Sequence, residues 1–186
     1  MRLVTYRHQG TDRVGVVQGE QVADASAAAP DMNTLIAGGK QALDDVRRAA
    51  ESGAKTPLNQ AQLLAPIPRT NKNIFCLGLN YKEHVAEGVR TGTGADPEGP
   101  KYPIWFTKPC TAVCGPYDDI VIEPRISTAY DWEVELAVVM GPSGRHISKE
   151  QAYDHVWGYT IFNDFSVRDI QRRHGPPPQW FKGKSW

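Results

Sequence analysis

The chain has 186 residues, 40% hydrophobic and 23% charged, the make-up of a folded globular protein with room for one substantial domain or a small domain plus part of a larger one. Lysine plus arginine and aspartate plus glutamate number 21 each, so no net field draws the chain to nucleic acid or an anionic membrane, and neither is an expected partner. The first residues, Met1-Arg2-Leu3-Val4-Thr5-Tyr6-Arg7-His8, lack the apolar core of a signal peptide and no later run reaches bilayer-spanning length, which makes a cytoplasmic location the default expectation.

Residues 2–8 and 14–18 read as two short strands joined by Gln9-Gly10-Thr11-Asp12-Arg13, with a third strand over 21–23. Residues 41–51 carry Leu43, Val46 and Ala50 at helical spacing with polar residues between, the pattern of an amphipathic surface helix. Ala65-Pro66-Ile67-Pro68 restricts the backbone and removes donors, so it marks a border between a small N-terminal domain over 1–66 and a second domain over 67–186. Beyond it, residues 73–79 read as a buried strand, 81–88 as a short helix, and 89–103, rich in glycine and proline, as a surface connection or a lid.

Strands are predicted over 104–107, 119–122, 132–140 and 159–162, and helices over 148–156 and from Ser166 onward. His174-Gly175-Pro176-Pro177-Pro178 reads as a stiff loop, and the aromatic-rich stretch from Gln179 to Trp186 as the start of a further strand. Many strands with few helices point to an α+β fold rather than a doubly wound sheet. Cys76, Cys110 and Cys114 are an odd set without a nearby histidine pair, so they are expected as small buried thiols rather than zinc ligands or disulfides.

The chemistry concentrates in the strand Trp132-Glu133-Val134-Glu135-Leu136-Ala137-Val138-Val139-Met140. Alternation puts Glu133, Glu135, Ala137 and Val139 on one face and Trp132, Val134, Leu136 and Val138 on the other. Two carboxylates side by side repel unless a cation, a proton or solvent relieves them. Asp164, near the end of the strand over 159–162, is placed to join them; its alternative is to help cap the helix opening with Ser166-Val167-Arg168-Asp169. An oxygen-only ligand set suits Mg²⁺, Mn²⁺ or Ca²⁺ better than zinc or copper.

Five ordered motifs closely resemble the fumarylacetoacetate hydrolase (FAH) family: Gly78-Leu79-Asn80-Tyr81-Lys82-Glu83-His84-Val85-Ala86-Glu87, Phe106-Thr107-Lys108-Pro109, the Asp131-Trp132-Glu133-Val134-Glu135 strand, Asn163-Asp164-Phe165-Ser166-Val167-Arg168-Asp169-Ile170-Gln171 and Gln179-Trp180-Phe181-Lys182-Gly183-Lys184-Ser185. The first 66 residues resemble, more loosely, the small N-terminal α+β domain of the family's bacterial two-domain members. The resemblance implies a mixed β-sandwich roll, a homodimer, and Mg²⁺ or Mn²⁺ held by Glu133, Glu135 and Asp164. It also implies a small 2-oxo or diketo acid as substrate, with an enolate-like intermediate stabilised by the cation.

By the same resemblance, His84 and Glu87 form a catalytic dyad. Their spacing of three puts them on one helix face, where the carboxylate orients the imidazole and His84 takes a proton from water. Arg168 and Gln171, also three apart, hold substrate oxygens, and Lys184 stabilises the oxyanion, with Lys182 its nearest competitor and Lys108 in support. Relatives continue beyond the motif at Lys184, which implies that the roll is incomplete here, in a fragment or a C-terminal truncation. The leading expectation is C–C bond hydrolysis of an acylpyruvate-like substrate. A hydratase, isomerase or decarboxylase of the same family, and a catalytically silent metal-binding module, are the alternatives.

Overall fold

Alternating apolar residues near the N-terminus do build a meander. In the computed structural model, which describes residues 1–91, 96–173 and 180–186, it opens with β1 (Leu3–His8), β2 (Thr11–Gln18) and β3 (Gln21–Asp24). Two helices follow, α1 (Met32–Ala37) and α2 (Gly39–Ser52), then the short strands β4 (Lys55–Pro57) and β5 (Gln62–Leu63). Next come β6 (Ile74–Gly78), α3 (Lys82–Arg90), β7 (Ile104–Lys108), β8 (Tyr130–Asp131), β9 (Val134–Met140) and β10 (Val156–Asn163). The described chain closes with β11 (Ser166–Val167), α4 (Arg168–Arg172) and α5 (Trp180–Gly183), giving the expected α+β class. No helix among the described residues is long and apolar enough to cross a membrane. The proline loop expected at 174–178 and the centre of the glycine-rich segment, 92–95, lie outside the described residues.

The chain forms two compact units, each assembled from three stretches. One comprises Met1–Asn71, Val113–Ile122 and Glu133–Asp164; the other Lys72–Ala112, Glu123–Trp132 and Phe165–Trp186.

In the first unit, an antiparallel sheet runs in the order β4-β3-β2-β1-β5. Its buried residues Val14, Val16 and Ala23 pack with Met32 and Leu35 of α1 and Val46 and Ala50 of α2. The hairpin between β1 and β2 is tighter than the five-residue loop expected: His8 pairs with Thr11, and Gln9 and Gly10 take φ of 50° and 76° to make a two-residue turn. Helix α1 escaped the sequence reading because it is only six residues long; Asp31 caps it by accepting from the Thr34 N–H at 2.8 Å. The ion pairs Asp44–Arg47 and Asp45–Arg48 on α2 are exposed and add little.

Also in this unit, β9 and β10 pair antiparallel, Glu135 opposite Phe162 and Leu136 opposite Ile161. The alternation along β9 is as expected, with Glu135, Ala137 and Val139 on the more sheltered face. The apolar face is the exposed one: Val134, Leu136, Val138 and Met140, with Tyr159 and Ile161 of β10.

The second unit contains the β6–β7 ladder, Cys76 opposite Phe106, and the two-residue ladder of β8 with β11. Trp180 of α5 meets Phe106 edge-on, with ring centroids 5.3 Å apart. Tyr130 of β8 stacks on the Phe165 ring at 6.0 Å and meets the Trp186 ring at a tilt at 5.6 Å.

Several sequence expectations are corrected. Residues 119–122 form no strand, since no ladder partner engages them among the described residues. Residues 148–156 are not a helix but i→i+3 turns ending in one 3₁₀ turn, Ala152–His155; residues 148–154 are exposed, and a helix this short needs a buried face. Ser166 does not open a helix: Ser166 and Val167 pair as β11, and α4 starts at Arg168 without a side-chain cap. The aromatic-rich end is the short helix α5 rather than a strand, because Trp180 finds its packing against β7. Of the cysteines, Cys76 is buried, Cys110 half-buried and Cys114 exposed.

Candidate metal centre and active site

Glu133 and Glu135 are two residues apart along an extended chain, so they share a face. Opposite them, β10 brings Phe162 against Glu135 and Asn163 against Val134. One further backbone bond, from the Asp164 N–H to the Glu133 carbonyl at 2.8 Å, carries the pairing past the strand end and sets Asp164 across from Glu133. The Asn163 side chain closes the same corner, its Oδ1 accepting from the Glu133 N–H at 3.2 Å.

The result is a triad in which one carboxylate oxygen from each of Glu133, Glu135 and Asp164 lies within 4.8 Å of the others, with Asp164 fully buried and the two glutamates half-buried. Three carboxylate oxygens this close together could hold one metal ion between them. Three hard oxygens and no sulfur or imidazole make a donor set that fits Mg²⁺ or Mn²⁺. The residue preceding α4 is Val167, which makes no side-chain cap hydrogen bond.

The remaining predicted residues belong to the second unit. Arg168 is the first residue of α4, its N–H donating to the Ala129 carbonyl at 2.8 Å. Its Nε donates to Asp131 Oδ2 at 2.8 Å, its Nη2 stands 2.7 Å from the same oxygen as an ion-pair contact, and its Nη1 donates to Gln171 Oε1 at 3.2 Å. The structure therefore brings Arg168 and Gln171 together. It also packs Gln171 against α5, where a Cβ at Gly183 would come within 2.7 Å of the Gln171 Cα.

Lys184, just past α5, is only 2% exposed, and its Nζ stands 5.2 Å from the centre of the Phe106 ring. Lys182 is exposed, so burial separates the two lysines that sequence alone weighed against each other. Lys108 is equally buried and donates to the Phe165 carbonyl at 2.8 Å, pinning the residue that follows Asp164 in the chain. His84 and Glu87 both lie on α3, one turn apart and exposed.

Ser127, also buried, was not singled out from the sequence. Its hydroxyl donates to Asp169 Oδ1 at 2.6 Å and accepts from the Ala129 N–H at 2.9 Å, tying the stretch before β8 to α4. That hydrogen bond, reinforced by the Ile170 N–H and by Arg173, holds the Asp169 carboxyl below the usual aspartate range despite some desolvation. No local pattern signals Ser127, because its partner is 42 residues away.

A family model described as fumarylacetoacetate (FAA) hydrolase C-terminal matches residues 73–186, and one described as Rv2993c-like, N-terminal, matches residues 1–66. The oxaloacetate tautomerase YisK of Bacillus subtilis (strain 168) is 46% identical over 128 residues, 69% of this chain and 40% of that protein. The mitochondrial oxaloacetate tautomerase Fahd2a of Rattus norvegicus is 38% identical over 196 aligned residues, covering 100% of this chain and 59% of that protein. The chain thus spans well under two thirds of these relatives.

Among solved structures, a fumarylacetoacetate hydrolase from Exiguobacterium antarcticum superposes with a TM-score of 0.77 at 29% identity, over 99% of this chain and 61% of that one. A maleylpyruvate hydrolase from Sphingobium sp. SYK-6, in complex with manganese(II) and pyruvate, gives 0.73 at 26% identity, over 100% and 62%. The two curated relatives are named as oxaloacetate tautomerases, and the two solved structures, named as hydrolases, share the α+β fold of this chain.

Proposed function

Because the chain belongs to the fumarylacetoacetate hydrolase family, we propose that it is a divalent-metal-dependent enzyme that enolises a small 2-oxo dicarboxylic acid, oxaloacetate first among them. The observation that carries this reading is the triad of Glu133, Glu135 and Asp164, gathered within 4.8 Å. The names of the curated relatives favour keto–enol tautomerisation over the C–C hydrolysis expected from the motifs alone. In this reading residues 1–66 are an accessory N-terminal domain, residues 67–186 belong to the catalytic domain, and the enzyme works as a homodimer.

Glu133, Glu135 and Asp164 hold Mg²⁺ or Mn²⁺, in keeping with the manganese in the maleylpyruvate hydrolase complex. When bound, such an ion supplies Lewis-acid stabilisation for negative charge developing on the 2-oxo oxygen. Arg168 offers a planar fork of donors to a substrate carboxylate, and Gln171, bonded to it, presents its amide beside that carboxylate. Lys184 keeps an ammonium in a sheltered place, where it counts for more against an oxyanion than a solvated one would. His84, oriented by Glu87, takes the proton from the carbon next to the 2-oxo group while water protonates the enolate oxygen, and ketonisation of the enol runs the same two transfers in reverse.

The second reading is hydrolysis of an acylpyruvate, in which His84 takes its proton from water instead. The exposure of α3 favours it, since a water reaches His84 freely there. The test is to add Mn²⁺ and follow enol-oxaloacetate absorbance, with pyruvate release from an acylpyruvate measured in parallel. Enol decay that is lost with EDTA and with Glu135→Gln supports the first reading. Pyruvate release without enol decay moves the assignment to the hydrolase. Manganese binding with neither activity leaves a silent metal-binding module, and no binding at all overturns the proposal.

A further inference from the structure

The pattern Asp131-x-Glu133-x-Glu135 supplies three carboxylates, of which the metal reading uses two. Asp131 is in β8, paired backbone to backbone with Ser166 of β11, and its Oδ2 accepts a hydrogen bond from the Arg168 Nε at 2.8 Å and lies 2.7 Å from Nη2. A charge-assisted hydrogen bond with a second guanidinium nitrogen in ion-pair contact at the same oxygen restrains the guanidinium plane. Nη1 is turned the other way, toward Gln171. The pair is half-sheltered, Arg168 at 26% and Asp131 at 41% side-chain exposure, so its worth lies in geometry more than in bare attraction.

We propose that Asp131 is a positioning residue for substrate-carboxylate recognition: it holds Arg168 so that the Nη1 edge, shared with Gln171, faces the ligand. The backbone around the pair is already fixed. Arg168 is held through its N–H on Ala129, and the preceding ribbon is tied to α4 by Ser127 on Asp169. Without the Asp131 carboxylate, a long arginine side chain on a five-residue helix regains its rotamers, and the ligand must then pay for ordering it. One run of sequence thus provides both the arginine holder and two of the cation ligands. This inference rests on the reading of Arg168 as the substrate-carboxylate residue.

The test uses the full chain saturated with Mn²⁺ and pyruvate as probe, with calorimetric Kd values for each and a thermal melt for every variant. Asp131→Asn, nearly isosteric, should raise the pyruvate Kd about tenfold, the low end for groups that orient ligating side chains, and leave the Mn²⁺ Kd within about twofold. In an Arg168→Ala background, Asp131→Asn should add less than about twofold, because the group it positions is gone. If Asp131→Asn does not fold, Asp131→Glu keeps the charge on a longer arm and should give a smaller loss with the same dependence on Arg168.

A pyruvate Kd unchanged by Asp131→Asn while Arg168→Ala weakens it overturns the positioning role alone. So does a loss that multiplies with that of Arg168→Ala, as expected of independent effects. An Arg168→Ala variant that binds Mn²⁺ and pyruvate like the wild type sinks the reading of Arg168 itself and this inference with it.

Discussion

Gly78 lies against the indole of Trp180: a Cβ there would come within 2.7 Å of Trp180 Cζ3 and 3.0 Å of Cη2. Trp180 opens α5, whose Gly183 packs onto Gln171 and whose next residue is Lys184. Two glycines therefore seat α5 on β6 at one end and on α4 at the other, and Lys184 takes its buried place as a consequence. Gly78→Ala should destabilise the chain by about 1–3 kcal/mol, as overpacking does, measured by urea denaturation. In a Trp180→Ala background the same substitution should cost less, because the clash has lost its partner.

Burial distinguishes Lys184 from Lys182, and the proposed oxyanion role can be tested on that difference. Lys184→Met should slow oxaloacetate enolisation about 100-fold or more while Mn²⁺ still binds, since a preorganised cation facing a developing oxyanion is lost. Lys182→Met, on an exposed side chain, should stay within about twofold. Greater damage from Lys182→Met would transfer the role to that residue.

Crowding three carboxylates sets up opposite effects with and without metal. At Mn²⁺ one hundred times above its Kd, linkage adds about 2.7 kcal/mol to the wild type, a Tm rise of roughly 5–10 °C for a chain of this size. Glu135→Gln should abolish that rise and yet melt higher than the wild type in EDTA, because one repulsive charge is gone. A differential scanning calorimetry trace in which the metal-free variant melts lower would contradict the strained triad.

The Ser127–Asp169 bond gives a pH signature. The folded Asp169 carboxyl titrates below its usual 3.8, with the Ser127 hydroxyl the largest cause, so the stabilisation is fully present above that value. It is lost as pH falls through the lower, folded value. Ser127→Ala should therefore lower Tm by a few degrees near neutral pH, with the gap to wild type closing only below about pH 4. A gap that stays constant down to pH 2 would place the effect in packing rather than in the ionised carboxylate.

What the sequence determined by itself is whatever is periodic or local. Alternation put Glu133, just before β9, on the same side as Glu135, helical spacing put Arg168 beside Gln171, and both relations hold. The same reasoning failed where an element's identity depends on distant partners. Residues 119–122 carry strand-like residues but join no ladder among the described residues, residues 148–156 carry helix formers but bury no face, and the stretch after Gln179 coils because Trp180 reaches Phe106.

Only the tertiary structure could bring Asp164 to Glu133 across the end of β10, or bury Lys184 while leaving Lys182 exposed. It alone could hand Asp131 the guanidinium of a residue 37 positions away. Local propensity is set by neighbours along the backbone. Burial, strand pairing and charge contacts are set by groups that meet only when the chain closes on itself, and no short window of residues contains both halves of such a contact.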